Sequence, residues 1–446
     1  MTNRLLHLCV QISILLCLMM AAISSAESLE RRAAWQAKFK APTDKGVEIR
    51  ELEAESPLAL AGLQQGDLIT EFDEQRVDKN TQWHDISDAL IGHKTYHLQF
   101  ERAGQSQTAE VSFTPLEREQ HPGLNTVYGS FTGPAGLGIR TIVTHPEQAS
   151  QSTWPAIFVV QGLSCSSIEI LPKRQSNYIR LLKDIVRNSN MLVMRVEKPG
   201  LGDSEGYCSQ TDFQTELQVY EAALQALLAR ENVDRKRVIV YGNSMGSALA
   251  PYLANKYQLN GVISDGPFFR SWFEHMLEIE RRIKAMQGMK QSDIQQQLNQ
   301  AYIPLYYGML IEKRSYAEVI KSKPELAKYN YHGPEHMYGR PMSFYHQFQD
   351  FNFEGGWANL KAPARVRWGR HDWIMSEYDI DMITATLQAS GNKDVEVYKY
   401  PELDHWATLH DSPSNSFHGK PGRWEENISG QIVEWAKALN SQENAY

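Results

Sequence analysis

Cysteine is scarce in this chain, with four residues among 446. Cys9 and Cys17 lie in an apolar N-terminal stretch, so the remainder holds only Cys165 and Cys208. Two thiols without a neighbouring pair of histidines are too few for a typical zinc site, and neither a metal nor an organic cofactor is expected. The formal net charge of −8 argues against nucleic acid as a partner. The sequence has no internal repeat and no low-complexity tract, and its length predicts two globular domains.

The first 26 residues have the organisation of a secretory signal peptide. One basic residue, Arg4, precedes an apolar run from Ile12 to Ile23, and small residues follow it up to Ala26. Removal of this segment changes the formal net charge from −8 to −9, because Arg4 is its only charged residue. An uncleaved membrane anchor is the alternative, although the apolar run is short for a full span. The prediction is a periplasmic or secreted protein that meets a membrane only if the segment is retained.

Residues 36–116 have the pattern of a small β-rich domain. The predicted elements are strands at 46–50 and within 65–72, short helices at 56–63 and 83–91, and a hairpin of 96–102 with 108–114.

Three short motifs in this region carry a resemblance: Ser56-Pro57, Ala61-Gly62-Leu63 and Gly66-Asp67-Leu68-Ile69. Through them the region resembles a PDZ domain of the bacterial, protease-associated kind. The resemblance implies that a peptide or protein C-terminus binds as an added strand. The loop expected to hold the terminal carboxylate, residues 41–45, lacks the usual glycine-rich, hydrophobic form. A purely structural module is therefore the alternative.

A strand, an abrupt turn and a helix follow one another over residues 238–250. The turn carries Gly242, Ser244 and Gly246 in the pattern Gly-x-Ser-x-Gly, which is typical of a nucleophile elbow. Its small residues allow the strand and the helix to approach closely while the serine is held in a strained conformation. The helix N-terminus behind Ser244 favours negative charge. The alternative is a glycine-rich loop with a surface serine.

Strands alternate with helices around this motif, which predicts a mainly parallel sheet with helices on both faces. The predicted strands are 127–132, 137–143, 156–160, 191–196, 238–241, 261–264, 364–368 and 395–400, and the main helices are 178–186, 217–228 and 428–439.

Four further segments stand at the ends of predicted strands. They are Gln161-Gly162-Leu163-Ser164, the turn 198–204, Gly369-Arg370-His371-Asp372 and Leu403-Asp404-His405. Together with the elbow they make residues 125–440 resemble the α/β-hydrolase superfamily. The resemblance implies an α/β fold, with a helical cap inserted at about 267–360. The chain order Ser, Asp, His is the order expected for that fold.

The resemblance also implies a role for each site residue. Ser244 is the expected nucleophile, and His405 is the base that a serine hydroxyl requires. Asp372 is expected to orient the histidine and to stabilise its charged form. The backbone amides of Met245 and Leu163 are expected to form the oxyanion hole.

Alternatives remain for two of these roles. Ser164 competes with Leu163 as the second oxyanion donor. Asp265 and Asp404 compete with Asp372 as the acid, but Asp404 is too close in sequence to His405 for easy triad geometry and is expected to shape the loop.

In an oxidising compartment, two cysteines predict one disulfide, with two separate buried thiols as the alternative. The resemblance makes the third and fourth strands of the sheet neighbours. Cys165 follows the third strand and Cys208 follows the fourth. A Cys165–Cys208 disulfide that braces the oxyanion loop is therefore expected.

Aromatic residues are frequent in the predicted cap and suggest an apolar or aromatic acyl group, unless they only pack the cap onto the body. They are Phe268, Phe269, Trp272, Phe273, Tyr302, Tyr306, Tyr307, Tyr329, Tyr331, Tyr338, Phe344 and Tyr345.

The leading hypothesis is an exported serine hydrolase that cleaves ester or amide bonds through an acyl-enzyme. Carboxylesterase and peptidase activity are both open, and the PDZ-like region favours peptides or protein termini. The alternative from another class is a non-catalytic peptide- or ligand-binding protein on the same scaffold, against which the complete Ser, Asp and His set argues. A lipase ranks lower, because the cap is polar in places and no long exposed apolar segment is evident.

Overall fold

The computed structural model describes residues 29–79, 83–147, 153–172, 174, 176–333 and 335–441. The predicted signal peptide lies outside these residues, so export remains a prediction. The described chain forms two larger sheets, one of six strands and one of eight, and a small hairpin.

The first sheet belongs to the N-terminal domain, and its neighbouring strands are all antiparallel. Its order is β1-β2-β3-β5-β6, with β4 on β3. The elements are β1 Ala37–Phe39, β2 Val47–Leu52, α1 Pro57–Leu60, β3 Leu68–Phe72, β4 Gln75–Arg76, α2 Trp83–Asp88, β5 Thr95–Arg102 and β6 Gln105–Ser112.

Strand β1 was not predicted, because three residues are too short to show an alternating pattern. It pairs with the outer edge of β2, with Phe39 opposite Ile49. The Phe39 ring packs edge-on against Trp35 and against Trp83 of α2. Strand β2, which the PDZ resemblance makes the peptide-binding strand, therefore has β1 on one edge and β3 on the other. A further strand can pair with this edge of β2 only if β1 is displaced.

The second sheet has the order β7-β8-β10-β9-β11-β12-β15-β16. Pairs β7–β8 and β8–β10 are antiparallel, and the remaining pairs are parallel, as the alternation of strands and helices predicts. The strands are β7 Leu124–Thr132, β8 Gly138–Pro146, β9 Trp154–Val160, β10 Leu192–Val196, β11 Val233–Asn243, β12 Gly261–Asp265, β15 Ala364–Gly369 and β16 Val395–Tyr400.

Helices cover both faces of this sheet, because successive residues of its central strands point to opposite sides and both sides are apolar. In β9, Phe158 faces one hydrophobic core and Ile157 faces the other. The covering helices are α3 Asn177–Asn188 and α14 Asn427–Ser441 on one face, and α4 Phe213–Leu228, α5 Met245–Tyr257 and α12 Glu377–Ala389 on the other. A short helix, α13 Pro413–Phe417, precedes α14.

A largely helical insertion lies between β12 and β15, where the cap is predicted. Its first helix begins at a capping box, in which Ser271 and Glu274 each satisfy the other's backbone amide. The elements are α6 Trp272–Met286, α7 Gln291–Gln297, a π-helix Leu298–Tyr302, α8 Ile303–Tyr306, a π-helix Tyr307–Ile311, α9 Tyr316–Ser322, a 3-10 helix Pro324–Tyr329, the hairpin β13 His336–Met337 and β14 Arg340–Pro341, α10 Met342–Gln349 and α11 Phe353–Ala358. Among the described helices of the chain, none is both long enough and apolar enough to cross a bilayer.

The two cysteines of the described chain form the predicted disulfide. Cys165 lies in the loop after β9 and Cys208 after β10, and their Cα atoms are 5.9 Å apart. These strands are parallel neighbours, with Ala156 paired to Leu192, so their loops lie side by side at one edge of the sheet. The bond closes a sequence separation of 43 residues.

We expect replacement of both cysteines by serine to lower the free energy of unfolding by about 4 kcal/mol, because the disulfide restricts the unfolded chain. Urea unfolding followed by intrinsic fluorescence measures this difference. Reductant should produce the same change in the wild type and none in the double variant. Equal midpoints for the oxidised and reduced wild type would contradict the prediction.

Candidate active site

Ser244 stands on a strained turn between β11 and α5. Its backbone has φ 56° and ψ −123°, a conformation that costs energy for a residue with a Cβ atom. Two glycines make the turn possible, because neighbouring backbone atoms lie too close to either position for a side chain. A Cβ atom at Gly246 would lie 2.1 Å from the Val160 carbonyl oxygen, and one at Gly242 would lie 2.2 Å from the Gly246 carbonyl oxygen. The predicted close approach of strand and helix is therefore present.

The three predicted triad residues form one hydrogen-bonded chain. The distance from Ser244 Oγ to His405 Nε2 is 3.0 Å, and that from His405 Nδ1 to Asp372 Oδ2 is 2.8 Å. The other oxygen of Asp372 accepts the backbone amides of Ile374 and Met375, each at 2.8 Å. An ionised Asp372 accepts from Nδ1–H, which leaves Nε2 free to accept the serine proton.

The parallel strands explain how residues distant in sequence meet. Ser244 follows β11, Asp372 follows β15 and His405 follows β16, and the carboxyl ends of parallel strands share one edge of the sheet. All three side chains are largely buried. The arrangement is suited to proton transfer from serine to histidine, and the catalytic roles remain predictions.

The competing aspartates have other partners. Asp265 forms a bidentate ion pair with Arg367, at 2.8 Å to Nε and 2.7 Å to Nη2. Asp404 accepts the backbone amides of Trp406 and Thr408, each at 2.9 Å, and so holds the loop that carries the histidine, as predicted.

The electrostatic environment of His405 favours its charged form. Burial by itself lowers the pKa of the imidazole, but the charge and hydrogen bond of Asp372, together with the charges of Asp404 and Asp265, more than offset this effect. The pKa of His405 is raised above its usual 6.5 as a result. A histidine with a raised pKa readily holds the proton that it takes from a serine hydroxyl.

Two backbone amides beside Ser244 are available to an oxyanion. Within the described part of the chain, the N–H groups of Leu163 and Met245 have no hydrogen-bond acceptor. Gly162 brings the first of them close to the serine, since a Cβ atom at Gly162 would lie 3.4 Å from Ser244 Oγ. Met245 is the first residue of α5, where the helix dipole favours negative charge. The Ser164 amide also has no acceptor in the described chain, so this alternative stays open.

The serine opens into a cavity of about 910 Å³ beneath the cap. One wall is mainly aromatic and aliphatic: Phe268, Trp272, Ile279, Ile283, Tyr331, Tyr338, Trp373, Ile374, Met375 and Trp406. The lining also includes polar side chains: Ser164, Ser166, Ser167, Arg174, Ser176 and Asn177.

The aromatic residues of the cap fall into two groups. Phe268, Trp272, Tyr331 and Tyr338 line the cavity. The others do not, and several of them are fully buried in the core, such as Phe344. The sequence reasoning missed Trp373 and Trp406, although each directly follows a predicted triad residue. Their adjacency to Asp372 and His405 was the available signal.

His275 on α6 also lines the cavity and was not predicted. It is buried, and burial together with nearby Arg282 and Arg270 lowers its pKa well below the usual value. Among the described residues there is no group of three or more His, Cys, Asp or Glu side chains able to hold a metal ion.

Comparison with known proteins identifies both domains. Residues 190–411 match the family model described as the alpha/beta hydrolase fold, and residues 32–113 match the PDZ domain model. Esterase EstD of Thermotoga maritima is 23% identical over 320 residues. That alignment covers 70% of this chain and 66% of the esterase, slightly under two thirds of its length.

Solved structures give more distant similarities. The Pyrococcus furiosus esterase Pf2001 is 13% identical, with a TM-score of 0.42 and coverage of 73% of this chain and 97% of that one. Proline iminopeptidase of Mycobacterium smegmatis is 14% identical, with a TM-score of 0.43 and coverage of 70% and 99%. Similarities at this level support no inference about activity.

We expect Asp372→Asn to lower the pKa of His405 by about 1 to 3 pH units, because it removes the carboxylate that favours the imidazolium. NMR titration measures the change, with His405→Gln used to assign the resonance among the 14 histidines. Asp411→Asn is the matched control, since that exposed carboxylate pairs with Arg423. An unchanged His405 pKa in Asp372→Asn would show that Asp372 does not set the charge of the imidazole.

Proposed function

We propose that this α/β-hydrolase with an N-terminal PDZ domain is an exported serine hydrolase that cleaves carboxylic esters. The observation that carries the proposal is the hydrogen-bonded chain of Asp372, His405 and Ser244 at a cavity beneath the cap. Similarity to an esterase supports the choice of ester substrates.

In the proposed reaction, Ser244 Oγ attacks the carbonyl carbon while its proton passes to His405 Nε2. The imidazolium that forms is stabilised by Asp372 through Nδ1. The tetrahedral intermediate collapses when its bond to the leaving alkoxide breaks, and His405 returns the proton to that oxygen. Water then attacks the acyl-enzyme with His405 again as base, which releases the acid and restores the Ser244 hydroxyl.

The negative charge on the tetrahedral oxygen needs donors that are already in place. The unpaired amides of Leu163 and Met245 meet this requirement, since no protein acceptor in the described chain has to be displaced. Preorganised donors of this kind are commonly worth about 10²- to 10³-fold in kcat each.

The cavity wall favours a large apolar or aromatic group on the substrate. The indole rings of Trp373, Trp406 and Trp272 line this cavity, and an aryl ring stacks on such flat surfaces at little conformational cost. We assign this wall to the acyl group.

Amide or peptide hydrolysis is the second candidate, favoured by the PDZ domain. Its partner in this proposal is a peptide or protein C-terminus. Such a ligand has to displace the short strand β1 before it can pair with β2. Peptide binding is thus tied to a rearrangement within the domain, whereas an ester substrate needs only the cavity.

The disulfide supports the periplasmic or secreted location. Disulfides persist in oxidising compartments and are uncommon in the reducing cytosol. The proposed signal peptide, residues 1–26, supplies the route of export, and N-terminal sequencing of the mature protein tests its cleavage.

We expect wild-type protein to react with a fluorophosphonate probe and to hydrolyse p-nitrophenyl esters, and Ser244→Ala to abolish labelling and lower kcat at least about 10³-fold. Labelling gels and initial rates measure both. Ser322→Ala, which changes a serine on the exposed side of the cap, is the matched control. Labelling that survives Ser244→Ala would identify a different nucleophile. A folded wild type without labelling or hydrolysis would favour the binding-protein alternative.

We expect kcat/KM to be higher for a phenylacetyl ester than for the acetyl ester with the same leaving group, because the aromatic wall contacts the acyl group. Trp406→Ala should reduce this preference by about 3- to 10-fold, since one lost aromatic contact is worth about 1 kcal/mol. Trp406 is partly exposed, so its truncation spares the core. Trp424→Ala, outside the cavity lining, is the control. Equal losses for both substrates would show that the wall does not select the acyl group.

A further inference from the structure

A buried lysine lies behind the oxyanion loop. Lys198 follows β10 and is fully buried, although its charged end is costly to remove from water. Its Nζ donates a hydrogen bond to the carbonyl oxygen of Gly162 and lies 3.5 Å from that of Ser164. The contact is thus made to the backbone of the loop that carries Leu163.

The contact of Lys198 with the Gly162 carbonyl also determines the direction of the Leu163 N–H, because both groups belong to one peptide bond. In a trans peptide unit the carbonyl of one residue and the N–H of the next point in opposite directions, and the described chain has no cis peptide bond. A donor that fixes the Gly162 carbonyl therefore also fixes the Leu163 N–H. Gly162 lies directly against Ser244, so the direction of this N–H matters at the reacting atoms.

A buried carboxylate lies beside the amine of Lys198. Glu216 on α4 lies 3.1 Å from Lys198 Nζ, and its second oxygen contacts Arg340 Nη2. All three side chains are fully buried. Arg340 belongs to β14 in the cap and also donates to the Cys208 carbonyl at 3.1 Å. The ion network therefore joins the cap, the disulfide and the loop beside Ser244.

Glu197, the residue before Lys198, binds a later part of the same loop, at Ile168 and Glu169. Glu197 is fully buried and accepts the backbone amides of Ile168 and Glu169, each at 3.2 Å. Consecutive residues at the end of β10 thus fix the loop at two places. Both sets of contacts restrict the conformation of the loop.

We propose that Lys198 is a positioning residue that aligns the Leu163 N–H with the oxyanion, held in place by Glu216 and, through it, by Arg340 of the cap. The inference rests on the proposed function, because it explains how the oxyanion hole of that reaction keeps its geometry. Lys198 itself does not touch the substrate.

The test compares wild type with Lys198→Met, which keeps the length of the side chain but removes the donor and leaves the Glu216–Arg340 pair intact. We expect kcat on a p-nitrophenyl ester to fall about 10- to 100-fold with KM changed less than threefold, since the loss appears when the oxyanion forms. Lys256→Met is the matched control, because Lys256 pairs with Glu221 at the surface and should leave kcat unchanged.

A transition-state analogue separates positioning from a general structural effect. An aryl trifluoromethyl ketone forms an oxyanion on Ser244, so its inhibition constant should rise by about the same factor as kcat/KM falls. The inhibition constant of the matching alcohol, which forms no oxyanion, should not change. If kcat falls while the ketone constant stays at the wild-type value, or if neither changes, the inference is wrong.

A second variant keeps the test decisive if Lys198→Met does not fold. Lys198→Met/Glu216→Leu/Arg340→Met replaces the whole network with apolar side chains and leaves no unpaired buried charge, a change that proteins often tolerate. It also lacks the donor to Gly162 and should show the same parallel change in kcat/KM and ketone inhibition. A wild type without hydrolysis or labelling would instead refute the proposed function, which distinguishes the two failures.

Discussion

The close packing of α5 against the ends of β9 and β11 is the constraint on which the site depends. Gly246 lies so near the Val160 carbonyl that no side chain fits between them, and the chain has to turn sharply at Ser244. The strain in that turn lifts Oγ above the carboxyl edge of the sheet, where the loops after β9, β10, β15 and β16 converge. The core of the sheet supplies the packing energy that holds this strain.

Fixed backbone groups bind the carboxylates around this edge. Asp372 is held by two backbone amides, and Glu197 holds two amides of the oxyanion loop. A covalent bond, Cys165–Cys208, joins the two loops. Dipoles that are fixed before the substrate arrives need no reorganisation when charge develops, which is the physical requirement for acyl transfer at a neutral serine.

The N-terminal domain is connected to the same region. Arg31, the residue before the PDZ match, pairs with Glu169 at 2.7 Å in the loop after β9. Arg32, the first residue of that match, donates its side chain to the Gly202 carbonyl at 2.8 Å in the loop after β10. The PDZ domain and the residue before it therefore contact the loops after β9 and β10, while strand β2 of the domain is paired on both edges. Any ligand that displaces β1 acts on a domain in direct contact with these loops.

The sequence by itself determined the features that are local. Contacts within a few residues determine the spacing of Gly242, Ser244 and Gly246 and the alternation of strands and helices. Both patterns could therefore be recognised in the sequence, and the structure contains both. The tertiary structure decided between the competing acids: His405 Nδ1 lies 2.8 Å from Asp372 Oδ2, whereas Asp265 at the end of β12 pairs with Arg367. It also decided that β1 pairs with β2 and that Lys198 donates a hydrogen bond to Gly162. Contacts between residues far apart in sequence depend on how the elements pack, and they leave no periodic pattern in the chain.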